Sequence, residues 1–198
     1  MRKLLCSIVM LSVLTIMTAC AALSKDITIK PLEDSDYVHT FQDLHLGHIW
    51  DFDFYLPNAD QRTVQLWVEK YSDGQKDEQF EVGLSYGMSP SKTEKGHIGF
   101  GLLDGDTRSL FFYAPGVKGK AQTLENLRLD EGISTGQYAF TKEQKLELNT
   151  EYIVGAYRQS LNNSMRSGYD FTNAEEVQQL IDDDTNVLLF KIKITESE

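Results

Sequence analysis

Trp50-Asp51-Phe52-Asp53-Phe54 is a strict alternation of aromatic and acidic residues. Because consecutive side chains of a β-strand point to opposite faces, this order places three rings on one face and two carboxylates on the other. Pro-Asn-Ala-Asp at 57–60, two residues further on, is typical of a turn. We therefore predict an antiparallel strand with one buried face and one solvated face.

The same two-residue period recurs along the chain between turn residues such as Gly, Asp, Asn and Pro. Further predicted strands lie near 64–68, 80–86, 98–102, 109–114, 124–129, 137–141, 152–158 and 187–195. Short turns join the early strands, which indicates antiparallel pairing. About nine such strands predict an all-β fold, an antiparallel β-sandwich of the jelly-roll or immunoglobulin-like type.

One short helix is predicted near 173–183, inserted before the last strand. Thr172 and Glu175 have the spacing of a capping box, and Val177 and Leu180 then lie on one face of the helix. The simplest role for this helix is to close an open end of the sandwich.

A corner motif supports the same architecture. Leu-Asn-Thr-Glu-Tyr-Ile-Val at 148–154 resembles the turn into a late strand of fibronectin-type and immunoglobulin-like sandwiches. In those domains a tyrosine hydroxyl ties the corner between the sheets to the backbone, which implies that role for Tyr152. The motif carries no information on activity.

The N-terminus carries a targeting pattern. Arg2 and Lys3 precede an apolar run at 4–19, which ends in Thr18-Ala19 directly before Cys20. This order resembles the lipobox signal peptide of bacterial lipoproteins. In that family a diacylglycerol is attached to the cysteine thiol and the chain is cut just before the cysteine.

The resemblance implies a domain organisation and a location. Residues 1–19 would be the signal peptide, 20–40 the acylated Cys20 with a short tether, and 41–198 a single β-sandwich domain. The lipid, with palmitate as one of its chains, would anchor the protein to a membrane of the cell envelope outside the cytoplasm. The only other cysteine, Cys6, would be removed, so the mature chain has no possible internal disulfide.

The charge balance limits the class of partner. The chain has 19 basic and 30 acidic residues, a net charge of −11, and removal of residues 1–19 would take away two basic residues and no acidic one. Such a surface disfavours nucleic acid and favours solubility, cationic ligands or a basic protein partner. Solvation of a secreted protein also explains the charge.

Aromatic side chains on polar strand faces are the candidate binding residues. The ligand-binding candidates are Trp67, Tyr71, Tyr113 and Tyr157. We expect Trp67 and Tyr71 to project away from the core, with Gly99 and Gly101 on another strand as the floor of a shallow groove. Alternatively, the helix and the 116–135 segment cover Trp67 as part of a second core layer.

Three of the four histidines, His39, His45 and His48, lie within ten positions and are weak candidates for a metal site. A histidine pair spaced by two residues on a strand has no fixed geometry, and the chain has no His-Glu-x-x-His motif. Loop histidines are the better interpretation, and we expect no metal or other cofactor.

Asp51, Asp53 and Glu69 are the candidates for acid–base chemistry, since a pair of carboxylates is what glycoside hydrolysis requires. However, carboxylates that alternate with aromatic core residues are also typical of any strand that has one buried face and one solvated face. We therefore predict a non-enzymatic binding or interaction module of the envelope, with an envelope protein or polysaccharide as partner. The alternatives are an inhibitor or immunity-type lipoprotein that neutralises a basic envelope toxin, and an envelope polysaccharide hydrolase.

Overall fold

The computed structural model describes residues 26–124, 132–162 and 164–196. The signal peptide predicted at 1–19 and the lipidation predicted at Cys20 lie outside the described residues. Within these ranges the chain forms two packed antiparallel sheets, so the prediction of an all-β antiparallel sandwich is confirmed.

The described ranges contain thirteen strands and two α-helices. In chain order the elements are β1 (Ile27–Pro31), α1 (Asp36–Asp43), β2 (Gly47–Pro57), β3 (Arg62–Ser72), β4 (Gln75–Lys76), β5 (Val82–Gly87), β6 (Thr93–Leu103), β7 (Ser109–Ala114), β8 (Val117–Lys118), β9 (Gln122–Thr123), β10 (Ile133–Tyr138), β11 (Gln144–Leu146), β12 (Glu151–Ser160), α2 (Ala174–Asp183) and β13 (Asn186–Glu196). A 3-10 turn, Ala59–Gln61, joins β2 to β3.

Each sheet is a continuous antiparallel ladder. The first sheet has the order β11-β1-β2-β6-β7-β8, with β9 also paired to β7. The second sheet has the order β10-β12-β13-β3-β4, with β5 paired to another part of β3. Neither helix of the described ranges has both the length and the apolar composition needed to cross a bilayer.

The core lies between the two sheets, as the alternation at 50–54 predicts. Phe52 and Phe54 of β2 are fully buried, and the Trp50 ring packs 4.3 Å from that of Phe190 on the opposing sheet. Phe100 also packs on Phe190, with ring centroids 5.0 Å apart. Burial of these large rings contributes to the apolar area that holds the sheets together.

The N-terminal boundary of the domain was predicted wrongly. Residues 26–40 are not a tether, because β1 pairs with β2 through Ile29 opposite Phe54 and with β11 through Ile27 opposite Leu146. Both isoleucines are buried in the core. The domain therefore includes β1 and does not begin at residue 41.

Helix α1 was also not predicted. It begins after Ser35, whose hydroxyl accepts a hydrogen bond from the Val38 N–H at 3.3 Å, a normal N-cap arrangement. Val38 is its buried side chain, and the helix packs against β2. The supposed tether thus covers part of the outer face of the first sheet.

Most predicted strands match observed ones, with shifted ends. Strand β6 begins at Thr93, β5 begins at Val82 and β10 ends at Tyr138. The strand predicted at 124–129 lies almost entirely outside the described residues, and Leu124 directly follows β9.

The predicted helix near 173–183 is confirmed as α2. Its N-cap is Asn173, whose side chain accepts a hydrogen bond from the Glu175 N–H at 2.9 Å. The helix buries Leu180 and Ile181 against Ala156 and other residues on the outer face of the second sheet. It therefore covers a sheet face, whereas we expected it to close an end of the sandwich.

The corner hydrogen bond predicted for Tyr152 is present. The Tyr152 hydroxyl accepts a hydrogen bond from the Glu147 N–H at 3.0 Å, five residues upstream. The contact fixes the entry into β12. The likeness to fibronectin-type and immunoglobulin-like domains stays a prediction.

Candidate functional site

The four aromatic candidates lie in three different places. Trp67 and Tyr71 project from β3 on the outer face of the second sheet, and Tyr113 projects from the outer face of the first sheet. Tyr157 is only 1% exposed and belongs to the core. Its assignment to an exposed surface was wrong, because a β-bulge between Ile153 and Gly155 changes which residues of β12 face inward.

The prediction of a groove with Gly99 and Gly101 as its floor beside Trp67 and Tyr71 was wrong. Gly99 and Gly101 belong to β6 of the first sheet, so they cannot form a groove with Trp67 of the second sheet. A Cβ at Gly101 would lie 2.0 Å from the Phe111 ring, and one at Gly99 would lie 2.5 Å from the Tyr113 hydroxyl. These glycines therefore provide room for aromatic neighbours on β7.

A charged network connects the two aromatics of β3. The Glu69 carboxylate lies between them in sequence and accepts hydrogen bonds from the Tyr71 hydroxyl at 2.9 Å, from Lys76 Nζ at 2.9 Å and from Lys191 Nζ at 2.8 Å. Lys191 Nζ also lies 5.9 Å from the centre of the Trp67 ring. We call Trp67, Glu69, Tyr71, Lys76 and Lys191 the Trp67 face.

The contacts within this network change the pKa values of Glu69 and Tyr71. Burial by itself would raise the pKa of Glu69, but the hydrogen bonds from Lys191, Lys76 and Tyr71 outweigh burial and lower the pKa to about 2. Burial and the neighbouring Glu69 raise the pKa of Tyr71 above its ordinary value. Glu69 is therefore ionised and Tyr71 is protonated at neutral pH.

Two depressions flank the Trp67 face. One, of about 410 Å³, is lined by Trp67, Glu69 and Phe80 among others. The second, of about 570 Å³, lies between the sheet and α2 and has mainly apolar walls, among them Tyr71 and Phe171. The described part of the 116–135 segment does not cover Trp67. Strands β8 and β9 belong to the first sheet, and residues 133–135 lie in β10 at the edge of the second sheet, where β12 and β13 separate them from β3.

A second cluster, which the sequence did not reveal, surrounds Asp51. We predicted a solvated carboxylate, but Asp51 is fully buried. It accepts a hydrogen bond from the Tyr113 hydroxyl at 2.9 Å, and His97 Nδ1 lies 2.9 Å from its Oδ2. The Asp51 backbone N–H donates to the Tyr138 hydroxyl at 3.0 Å. The Tyr37 ring of α1 covers the cluster and packs 5.0 Å from the His97 ring.

This cluster holds the imidazole in a fixed orientation. An ionised carboxylate can only accept hydrogen bonds. The ring nitrogen that faces Asp51, His97 Nδ1, therefore carries a hydrogen and donates it to Asp51. The His97 side chain is 48% exposed. Burial raises the pKa of Tyr138 to about 12, so this tyrosine is protonated at neutral pH.

The carboxylate pair proposed for hydrolysis is not formed between the sheets. Asp51 lies on the outer side of the first sheet and Glu69 on the outer side of the second, with the core between them. Asp53 is exposed, while Asp51 is buried by its tyrosine and histidine partners. Glu69 is already bonded to two lysines and a tyrosine. Asp51 and Glu69 therefore have structural partners, and Asp53 lies exposed on the strand.

The three clustered histidines do not converge. His39 is exposed on α1, His45 lies in the following turn with a φ of 50°, and the His48 ring packs on Trp50 and Tyr157. Across the described ranges, no three histidine, cysteine, aspartate or glutamate side chains are grouped to hold a metal ion.

Comparison with protein-family models, curated proteins and solved structures finds no match for this chain. Its function is therefore inferred from its own residues. Of the candidate surfaces, the Trp67 face combines partly exposed aromatic rings, fixed charges and two adjoining depressions.

Proposed function

We propose that the protein is a lipid-anchored, non-enzymatic binding module of the cell envelope, and that the Trp67 face holds a protein partner. The lipobox-like sequence supports the anchor. The observation that carries the binding proposal is the pair of partly exposed rings of Trp67 and Tyr71, held on one strand by the Glu69 network. Trp and Tyr are the side chains that most often dominate the binding energy of protein interfaces.

The arrangement favours a protein over a polysaccharide. Lys191 lies over the Trp67 ring, which reduces the open aromatic surface on which a sugar ring could stack. The larger depression beside Tyr71 has mainly apolar walls, including Phe171 and Val177. Such a groove suits apolar side chains of a partner better than the hydroxyl groups of a sugar.

The charges of the Trp67 face are already paired within the protein. Glu69 is ion-paired with both Lys76 and Lys191, and Lys191 also lies 3.9 Å from Glu151, so a partner gains little by adding another charge at this surface. The excess of acidic residues elsewhere would act mainly on the association rate. The inhibitor alternative, which relies on acidic contacts to a basic toxin, therefore predicts a different salt dependence.

A pull-down from envelope extracts tests the proposal. The tagged full chain, solubilised in nonionic detergent, is used as bait, with Trp67→Ala as the test variant. Met88→Ala is the matched control, because Met88 is 65% exposed and lies outside both depressions. We expect a protein that stays bound at high ionic strength, is lost with Trp67→Ala and is retained with Met88→Ala.

Two results would contradict the proposal. Release of the partner by salt, with Trp67→Ala behaving like the parent, would place the binding energy in the acidic surface and favour the inhibitor alternative. If a polysaccharide is recovered in place of a protein, the proposal of a binding module would hold, but the proposal of a protein partner would be wrong.

A further inference from the structure

A separate cavity lies beneath helix α1, away from the Trp67 face. It has a volume of about 520 Å³ and is formed by α1, the start of β2 and the end of β10. This volume is within the range of small-molecule sites in proteins, about 300–1,000 Å³. Apolar walls come from Val38, Phe41 and Trp50, and polar groups come from Gln137 and Tyr138.

The aromatic wall of this cavity is fixed in place. Trp50 Nε1 donates a hydrogen bond to the Gln137 carbonyl at 3.0 Å. A Cβ at Gly136 would lie 2.8 Å from the Trp50 ring, and one at Gly155 would lie equally close. Only glycine at these two positions leaves room for the indole in this orientation. The cavity therefore needs no rearrangement of Trp50 to receive a ligand.

The charge of the lining is of one sign. Glu33 is the charged carboxylate of the cavity, and the described residues that line it include no lysine or arginine. His48, another lining residue, has its pKa lowered by burial, and its buried Nδ1 has no hydrogen-bond partner. An anionic ligand would therefore find no positive group in this lining, whereas a cation would meet Glu33.

Tyr138 adds a hydrogen-bonding group. Its hydroxyl accepts from the Asp51 N–H and donates to none of the described residues. An oxygen atom of a ligand can accept a hydrogen bond from this hydroxyl. The polar groups thus stand beside an apolar wall, which is the usual composition of a ligand site.

We propose that this cavity binds a small organic ammonium ion, with its apolar body against Phe41 and the small accessible edge of the buried Trp50 and its positive charge toward the exposed Glu33. The apolar contacts of the ligand body with these side chains add to the attraction between the ammonium group and the carboxylate. The excess of acidic residues in the chain raises the local concentration of such cations. The site is independent of the proposed Trp67 face.

Fluorescence can isolate this site, because the chain has two tryptophans, Trp50 and Trp67. In the full-chain variant Trp67→Phe, the emission of Trp50 reports the cavity alone. The variant in nonionic detergent is titrated with benzylammonium, benzyl alcohol and benzoate, three probes with one ring and different charges. We expect a saturable change with benzylammonium, about tenfold weaker binding of benzyl alcohol, and no saturable change with benzoate.

A pair of neighbouring carboxylates supplies the matched variants. Glu33→Gln removes the charge of the lining and is expected to weaken benzylammonium about threefold to fivefold, with little effect on benzyl alcohol. Asp34→Asn removes an adjacent exposed charge that is not part of the lining, and it should leave the affinity unchanged. Equal binding of benzylammonium and benzyl alcohol, equal effects of the two variants, or no saturable response would each overturn the proposal.

Discussion

Replacement of Glu69 by glutamine tests whether the network that positions Trp67 and Tyr71 stabilises the fold. The carboxylate has a pKa of about 2 in the folded chain, against an ordinary value of 4.5. At 1.36 kcal/mol per pH unit this difference corresponds to about 3 kcal/mol. The Lys76 side chain is 39% exposed, so solvent screens the network, and we expect about 1–2 kcal/mol at neutral pH.

The sign of the pH dependence follows from the lowered pKa. The stabilisation is fully present above pH 4.5, where the carboxylate is ionised in both folded and unfolded chains. It is lost as the pH falls from about 4.5 to about 2, because the unfolded chain takes up the proton first. Glu69→Gln should therefore unfold at lower urea concentration than the parent at pH 7, and the difference should shrink steadily below pH 4.

Urea denaturation at pH 7 and at pH 3, followed by circular dichroism, measures both free energies of unfolding. Glu151→Gln is the matched control, because Glu151 also faces Lys191 but its side chain is 51% exposed and its shortest lysine contact is 3.6 Å. We expect a change below about 0.5 kcal/mol for this control. A Glu69→Gln effect that equals the control, or that is the same at both pH values, would refute the reasoning.

Two further predictions concern the anchor and the buried cluster. Cys20→Ala should block globomycin-sensitive processing and move the protein out of the membrane fraction, as measured by fractionation and immunoblotting; unchanged processing and membrane association would contradict the lipid anchor. Asp51→Asn and Tyr113→Phe should each cost about 1–3 kcal/mol in urea denaturation, and the double variant should cost about 1 kcal/mol less than the sum. Strict additivity would show that the two groups do not stabilise each other.

The buried faces of the strands could be predicted from the sequence, because burial of large rings follows a local two-residue period. Phe52 and Phe54 are in the core, as their alternation indicates. The signal for β1 was also present, since Ile27 and Ile29 alternate with polar residues, but the segment was assigned to the tether. That error came from the interpretation of the N-terminus and not from a weak pattern.

The outer faces could not be predicted in the same way, because their neighbours are distant in sequence. Asp51 is buried by Tyr113 and His97, which come from β7 and β6, and by the tyrosine of α1 that covers them. Tyr157 is turned inward by a bulge, which strand periodicity does not reveal. Gly101 accommodates Phe111 because their strands pair, and the pairing was unknown at the level of sequence.

The position of β1 limits how far the domain can stand from a membrane. Strand β1 begins at Ile27, seven residues after Cys20, and seven residues span at most about 25 Å when fully extended. A lipid on Cys20 would therefore keep the sandwich close to the headgroups, and a partner would have to come to the membrane surface. A force applied through the lipid would act first on β1. Because β1 is hydrogen-bonded to β2 on one side and to β11 on the other, the sheet as a whole would resist this force.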